Sequence, residues 1–328
     1  MAVLISMFLG VIPAIFYAMI VYWFDHYEKE SKLLLVGVFL WGAFVAAGGA
    51  FIMNTLFGIT VFVFTGSEAA TDFMTASISA PLVEESLKGM AVLIVFFIFH
   101  REFDNLLDGI VYGAIVALGF AATENSFYIY QYGAAEGGVG DILFISFIRN
   151  ILVGWQHPFY TAFIGLGLAM ARLNKNWLIK LGAPFIGWCL AVFTHSLHNT
   201  LATVLPGLGG LAIGTFIDWA GWFVMFLIVL WAIRRERGFI IQYLLEEAQT
   251  GVITPTQYRT ASSIPSLFMA RFNALLGGRL RDTRRFYQVC HELAHKKRQF
   301  AMFGEERGNS RLIQQYRAEL VRLSSRVG

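Results

Sequence analysis

The chain has 328 residues, of which 57% are hydrophobic, 16% aromatic and only 14% charged, with a formal net charge of +3. That profile excludes an ordinary soluble domain and a nucleic-acid partner, and it predicts an integral, multi-pass membrane protein set in a lipid bilayer. The two cysteines, Cys189 and Cys290, offer no disulfide framework.

Residues 2–23 form an apolar run without a basic leader or a small-residue cleavage site, and they read as a retained first span. A charged loop, 25–32, leads to a second span from 33 to about 57, whose Gly37, Gly42, Gly48 and Gly49 permit close helix approach. Residues 58–77 read as an extramembrane loop carrying Glu68 and Asp72. The third span, 78–99, carries Glu84, Glu85 and Lys88 inside a run long enough to cross a bilayer. Each ionised group at membrane depth costs about 3 kcal/mol, so the three cost on the order of 8 kcal/mol before pairing, which marks a working site.

The fourth span covers 108–130, and a Gly-rich acidic loop, 133–141, follows it. Residues 142–170 exceed one straight span, and Gly154 and Pro158 are the expected places for a break. Trp177–Val204 is the sixth span, 206–210 a tight turn and 211–233 the seventh. Arg172, Lys175, Lys180, Arg234, Arg235 and Arg237 fall on one side, whereas the loops around Glu68, Asp72, Glu136 and Asp141 lack Lys and Arg. The positive-inside rule therefore sets the amino terminus outside and the carboxyl terminus in the cytoplasm. The expected fold is all-α, a bundle of about seven transmembrane helices over 1–235 with a basic helical tail over 236–328. Helical pieces are expected in the tail near 239–249, 265–276, 282–300 and 311–324, and its charge suits anionic lipid headgroups.

Counted from each span's cytoplasmic end, Glu84, Glu85, Glu124, His157 and His195 all lie 15 or 16 residues in, roughly 22–24 Å up a straight helix. Four spans thus bring carboxylates and imidazoles to one level. Glu84 and Lys88, four apart, share a helix face, while Glu85 points about 100° away. An internal Glu84–Lys88 pair would offset desolvation yet leave Glu85 and Glu124 uncompensated. His195 and Asn199 share another face, with His198 adjoining. A carboxylate beside an imidazole can take the proton of a water, and amide and imidazole donors can hold an oxyanion, which together make a hydrolase. The same Glu and His residues also suit zinc. A proton relay in a transporter or channel is the competing class, although no inverted repeat is evident, and a non-enzymatic scaffold is the third. Asp218, flanked by Trp219 and Trp222, reads as interfacial, and Arg149 as a snorkelling side chain.

Glu84-Glu85-x-x-Lys88, the stretch from Asp108-Gly109-Ile110-Val111-Tyr112-Gly113 to Gly119-Phe120-Ala121-Ala122-Thr123-Glu124-Asn125, His157 and the His195/Asn199 pair together resemble the PrsW family of intramembrane proteases. That family is similar to the wider superfamily of CAAX prenyl proteases and bacteriocin-processing enzymes. The resemblance covers residues 1–235 and implies a peptidase of the bacterial cell membrane that cleaves a membrane-anchored protein or peptide, such as an anti-sigma factor. It implies Glu84 as general base, His157 holding the water, and His195 and Asn199 stabilising the oxyanion. Glu85 completes the catalytic set beside Glu84, and Lys88, Glu124, Asn125 and His198 support it. No cofactor is expected, while zinc on Glu84, His157 and His195 stays open, because the family has been described both as metalloproteases and as glutamic-type proteases.

The tail contains His291-Glu292-Leu293-Ala294-His295, which matches the zinc-protease pattern HExxH. A short basic helix with no evident third ligand beyond Glu305, Glu306 or Glu319 argues against a metal site. Phe286, Val289, Leu293 and Phe300 read instead as the apolar side of an amphipathic helix lying on the membrane or on the bundle.

Overall fold

In a computed structural model, residues 1–27, 29–135, 137–205, 208–305 and 308–327 are described; Glu28, Glu136, Pro206, Gly207, Glu306, Arg307 and Gly328 lie outside them. The described residues are helical, with no strand among them. The helices are α1 (Ala2–Phe24), α2 (Lys32–Leu40), α3 (Ala47–Thr65), α4 (Glu68–Met74), α5 (Ala80–Ile98), α6 (Leu106–Tyr128) and α7 (Val139–Phe147). They continue with α8 (Gln156–Leu173), α9 (Trp177–Val204), α10 (Leu208–Gln249), α11 (Pro255–Ala261), α12 (Ile264–Leu276), α13 (Leu280–Phe303) and α14 (Asn309–Ser324). Met1–Phe24 with Glu30–Val229 form one compact unit, and Asp25–Lys29 with Leu230–Gly328 form a second. Among the described residues six helices are long and apolar enough to cross a membrane: Ala2–Phe24, Lys32–Thr65, Leu106–Ala134, Val139–Leu173, Trp177–Val204 and Gly209–Gln249.

In the first unit α6 is the central element, buried on every side from Leu106 to Ala122 and packed against α1, α2, α5 and α8. Asn105 and Asp108 start it, for the Asp104 and Asn105 amides both donate to Asp108 Oδ2 at 2.9 and 2.6 Å, and the Leu106 amide donates to Asn105 Oδ1. Small residues let it be central. A methyl group on Gly109 would overlap the backbone carbonyl of Gly165 on α8, so only glycine allows the two backbones this close.

α5 is preceded by a widened turn with π geometry, Thr75–Ser79, rather than by a loop. Residues 58–77, expected outside the membrane as a loop, instead complete α3 and form α4 and most of that turn. Ser67 caps α4 by accepting a hydrogen bond from the Ala70 amide at 3.2 Å. The long segment 142–170 does break as expected at Gly154, since Val153 to Trp155 separate a second π turn, Ile148–Leu152, from α8. Pro158 then falls in the first turn of α8, where its missing N–H leaves no intrahelical bond unmade.

In the second unit the apolar side of α13 is the core: Phe286, Val289, Cys290 and Leu293 are fully buried. Glu247 at the end of α10 accepts from Lys297 and Arg317, each at 2.8 Å, tying α13 and α14 to that end. α10 runs unbroken through the two expected pieces 211–233 and 239–249, and α11 was not expected at all.

Candidate active site

Six expected residues, Glu84, Glu85, Lys88, Glu124, His157 and His195, meet in one buried cluster contributed by α5, α6, α8 and α9. Lys88 Nζ, fully buried, donates to Glu85 Oε1 at 2.5 Å, lies 3.3 Å from His157 Nδ1 and stands 3.9 Å from Glu84 Oε2. The ammonium also sits 4.4 Å from the centre of the Phe120 ring, whose face favours a cation. The tight ion pair is therefore Glu85–Lys88 and not the Glu84–Lys88 pair that helix spacing suggested, because at three residues' separation the chain reaches a carboxylate that packing already holds inward.

Glu85 is wholly committed. Its Oε1 faces both Lys88 and His195 Nδ1, the latter at 2.9 Å, and its Oε2 accepts from the Thr161 hydroxyl at 2.8 Å. Holding Nδ1 of His195 fixes that ring with Nε2 facing Glu84 Oε2, 3.9 Å away. Glu84 differs from its neighbour: it is 6% exposed, and its Oε2 has no hydrogen bond. His157 completes the arrangement. Its Nε2 lies 2.9 Å from Glu124 Oε2, and its ring meets that of His195 edge-on with centroids 5.3 Å apart. Because the chain breaks at Val153 to Trp155, His157 also sits in the first turn of α8, at the positive end of that helix.

Glu124 is held from its other side by Arg149, which donates to it and also to Asn125 Oδ1 at 2.9 Å. Arg149 thus faces the cluster and does not snorkel outward, since Glu124 and Asn125 supply the partners that lipid cannot. Asn125 in turn donates to Asn150 Oδ1 at 3.2 Å. Asp218 is likewise not interfacial: it is 2% exposed, accepts from the Tyr160 hydroxyl at 2.9 Å and lies 2.6 Å from His198 Nδ1. The Tyr160 ring stacks on His195 at 5.0 Å, so Asp218 reaches the cluster through that ring. Asn199 donates to the Ala76 carbonyl at 2.9 Å, and Ser196 to the Ser77 carbonyl at 2.5 Å, which ties α9 to the turn that launches α5. An amide carries two N–H donors, so this bond uses one of them.

Sequence reading missed Arg149, Tyr160, Thr161 and Asp218. Tyr160 and Thr161 follow His157 by three and four residues, and that spacing on one helix face was the available signal. Arg149 lies beyond a helix break and carried none, whereas Asp218, 16 residues from Arg234, shares the depth of the cluster but reads as interfacial because Trp219 and Trp222 flank it. Glu84, Glu85 and Glu124 thus face two fixed cations, Lys88 and Arg149, while Asp218 faces His198.

Among the described residues, Glu84, His157 and His195 are the one group of three able to hold a metal ion, each offering a ligand atom within 4.8 Å of the others. The donor set fits such an ion: one carboxylate oxygen makes no hydrogen bond, and one imidazole is oriented from behind by a carboxylate. The tail's HExxH residues do not converge. His291 Nε2 donates to the Ala261 carbonyl at 2.9 Å, His295 Nε2 lies 3.1 Å from Glu236, and Glu292 is held by Arg285 and Gln288. Glu319 is taken by Arg285.

A buried acid, two imidazoles and their orienting groups, lodged among membrane-spanning helices, define the class as a hydrolase set in the bilayer, and comparison with known proteins agrees. Residues 30–233 match the family model described as "PrsW family intramembrane metalloprotease". Protease PrsW of Geobacillus kaustophilus is 28% identical over 232 residues, covering 70% of this chain and 89% of the relative. Protease PrsW of Bacillus subtilis is 27% identical over 222 residues, covering 68% and 88%. That of Clostridioides difficile is 36% identical over 108 residues, covering 33% and 43%. No solved structure matches the chain. The chain belongs to the PrsW family and is a multi-pass intramembrane protease, which disfavours the transporter reading.

Proposed function

We propose that the chain hydrolyses a peptide bond in a membrane-anchored protein or peptide, an anti-sigma-factor-like regulator being the class the resemblance suggests, with Glu84 as the general base. The observation that carries this reading is the buried Glu84 Oε2, which makes no hydrogen bond, beside His157 and His195. Glu84 takes a proton from water as the oxygen attacks the carbonyl carbon, and returns it to the amide nitrogen as the C–N bond breaks. His157 holds the water. His195, fixed by Glu85, and the second N–H of Asn199 stabilise the oxyanion. Lys88 and Arg149 hold the Glu85 and Glu124 carboxylates in place as orienting groups.

A second reading is metal-assisted hydrolysis, favoured by the donor set and by the family's description. Glu84, His157 and His195 would hold the ion, which supplies a Lewis acid and a water of lowered pKa. The fixed Lys88 ammonium, already facing Glu84 and His157, supports the carboxylate reading over it. Activity that survives chelation is the expected result; loss on chelation, with restoration by one divalent ion, reassigns Glu84 as a ligand.

The main test compares proteoliposomes of the wild type with Glu84→Gln and His157→Ala, using as substrate a membrane protein that accumulates in cells carrying Glu84→Gln. Each variant is expected to lose about 10²–10⁴-fold in cleavage rate. Full activity in either removes it from the mechanism. We place the tail in the cytoplasm of a bacterial cell, a topology that protease accessibility from the opposite side would overturn.

A further inference from the structure

The helix α12, Ile264–Leu276, exposes an apolar stripe that none of the described residues covers. Phe268 is 67% exposed and Leu276 74%, and Met269, Phe272 and Leu275 are also exposed. At 100° per residue these five side chains fall within about a third of the helix circumference. Leu267 and Ala274, on the opposite flank, are buried in the tail unit and anchor the helix. The concentration is local: of the seven large apolar side chains exposed after Gln249 among the described residues, five lie on this one helix. A stripe of this size on a soluble surface invites aggregation, so it marks a surface that is covered in use.

The charge beside the stripe selects its occupant. Where α12 ends at Gly277 and Gly278, the chain continues with Arg279, Arg281 and Arg284, all exposed and with no ion pair among the described residues. Arg271, within the helix, has a buried Nε without a hydrogen bond. Burial, and then the neighbouring charge of Arg284, hold its guanidinium below the ordinary range, as expected of a cationic patch without its anion. Aromatic and aliphatic side chains flanked by arginines are the composition of a helix lying in a lipid interface. Each such cation near an anionic leaflet adds to the attraction. The tail is also continuous with α10, which is apolar enough to cross the bilayer, so the leaflet on the tail's side is present at high effective concentration.

We propose that α12 lies in that leaflet, with Phe268, Phe272, Leu275 and Leu276 among the acyl chains and Arg279, Arg281 and Arg284 on anionic phospholipid headgroups. The tail is then moored to the membrane at a second place besides α10. This surface is independent of the peptidase reading and stands or falls separately from it.

The test is site-directed spin labelling of the full-length protein in vesicles of phosphatidylglycerol mixed with phosphatidylcholine. Phe272→Cys places a nitroxide in the stripe, and Asn273→Cys places one on the polar side of the same helix. Cys290 is fully buried, and the unsubstituted chain gives the background from Cys189. The label at position 272 is expected to relax with oxygen and resist a water-soluble nickel chelate, while that at 273 shows the reverse. Replacing phosphatidylglycerol by phosphatidylcholine, or combining Arg279→Gln, Arg281→Gln and Arg284→Gln, should weaken the contrast at 272 several-fold. Equal nickel access at both positions overturns the proposal. So does dipolar broadening at 272 that grows with the protein-to-lipid ratio, which would assign the stripe to a second copy of the chain. A contrast at 272 indifferent to lipid charge would remove the arginines from it.

Discussion

Substituting Glu85 strips a fully buried ammonium of its partner, whereas substituting Glu84 removes an oxygen that has no hydrogen bond. Breaking a buried ion pair from one side costs about 3–5 kcal/mol, so Glu85→Ala should unfold at markedly lower temperature in detergent, while Glu84→Gln stays near the wild type. Tyr160→Phe tests the Asp218 link. Losing that hydroxyl should cost about 1 kcal/mol of stability and slow cleavage a few-fold, far less than Glu84→Gln. A fall as large as that of Glu84→Gln would place Tyr160 at the reacting atoms. Glu84, Glu85, Glu124, His157 and His195 were legible at this scale because charge at membrane depth is expensive and their depths agree. Arg149 and Asp218 were not, because a lone charge near the end of a span reads as interfacial until its partner, 25 or 58 residues away, is known.

At the scale of elements, close approach of α6 and α8 sets where His157 meets Glu124. A Cβ on Gly109 would overlap the Gly165 carbonyl, whereas one on Gly37 meets nothing within 4 Å. Gly109→Ala should therefore cost about 1–3 kcal/mol in thermal unfolding and reduce cleavage, and Gly37→Ala should change neither. The hydrophobic spans were readable from the sequence, and Trp177–Val204 matches residue for residue. Residues 58–77, read as a loop carrying Glu68 and Asp72, are helical because the chain breaks at only two residues: Gly66 adopts φ 63° to end α3, and Ser67 immediately starts α4. The signal for α11 was present and overlooked: Thr254, Pro255 and Gln257 spell a capping box with proline in the first turn.

Across the whole molecule, acid should act on the second unit through His291, which is buried, and His26, which is half-buried. Burial above all, opposed by the bond to the Ala261 carbonyl, lowers the His291 pKa from 6.5 to about 4, and burial followed by Lys29 and Arg271 does the same to His26. Between those values an unfolded tail binds protons that the folded one refuses. Stability is therefore complete above about pH 6.5 and falls as the pH drops toward 4, with His291 accounting for on the order of 3 kcal/mol. Hydrogen exchange in α13 of the full-length protein should accelerate over that window, and His291→Gln should flatten the dependence. The four helices that furnish the cluster span residues 80 to 204. A ribosome-bound chain consequently owns no competent centre until α9 has left the exit tunnel and entered the bilayer, so a half-made copy is harmless to its neighbours throughout biogenesis.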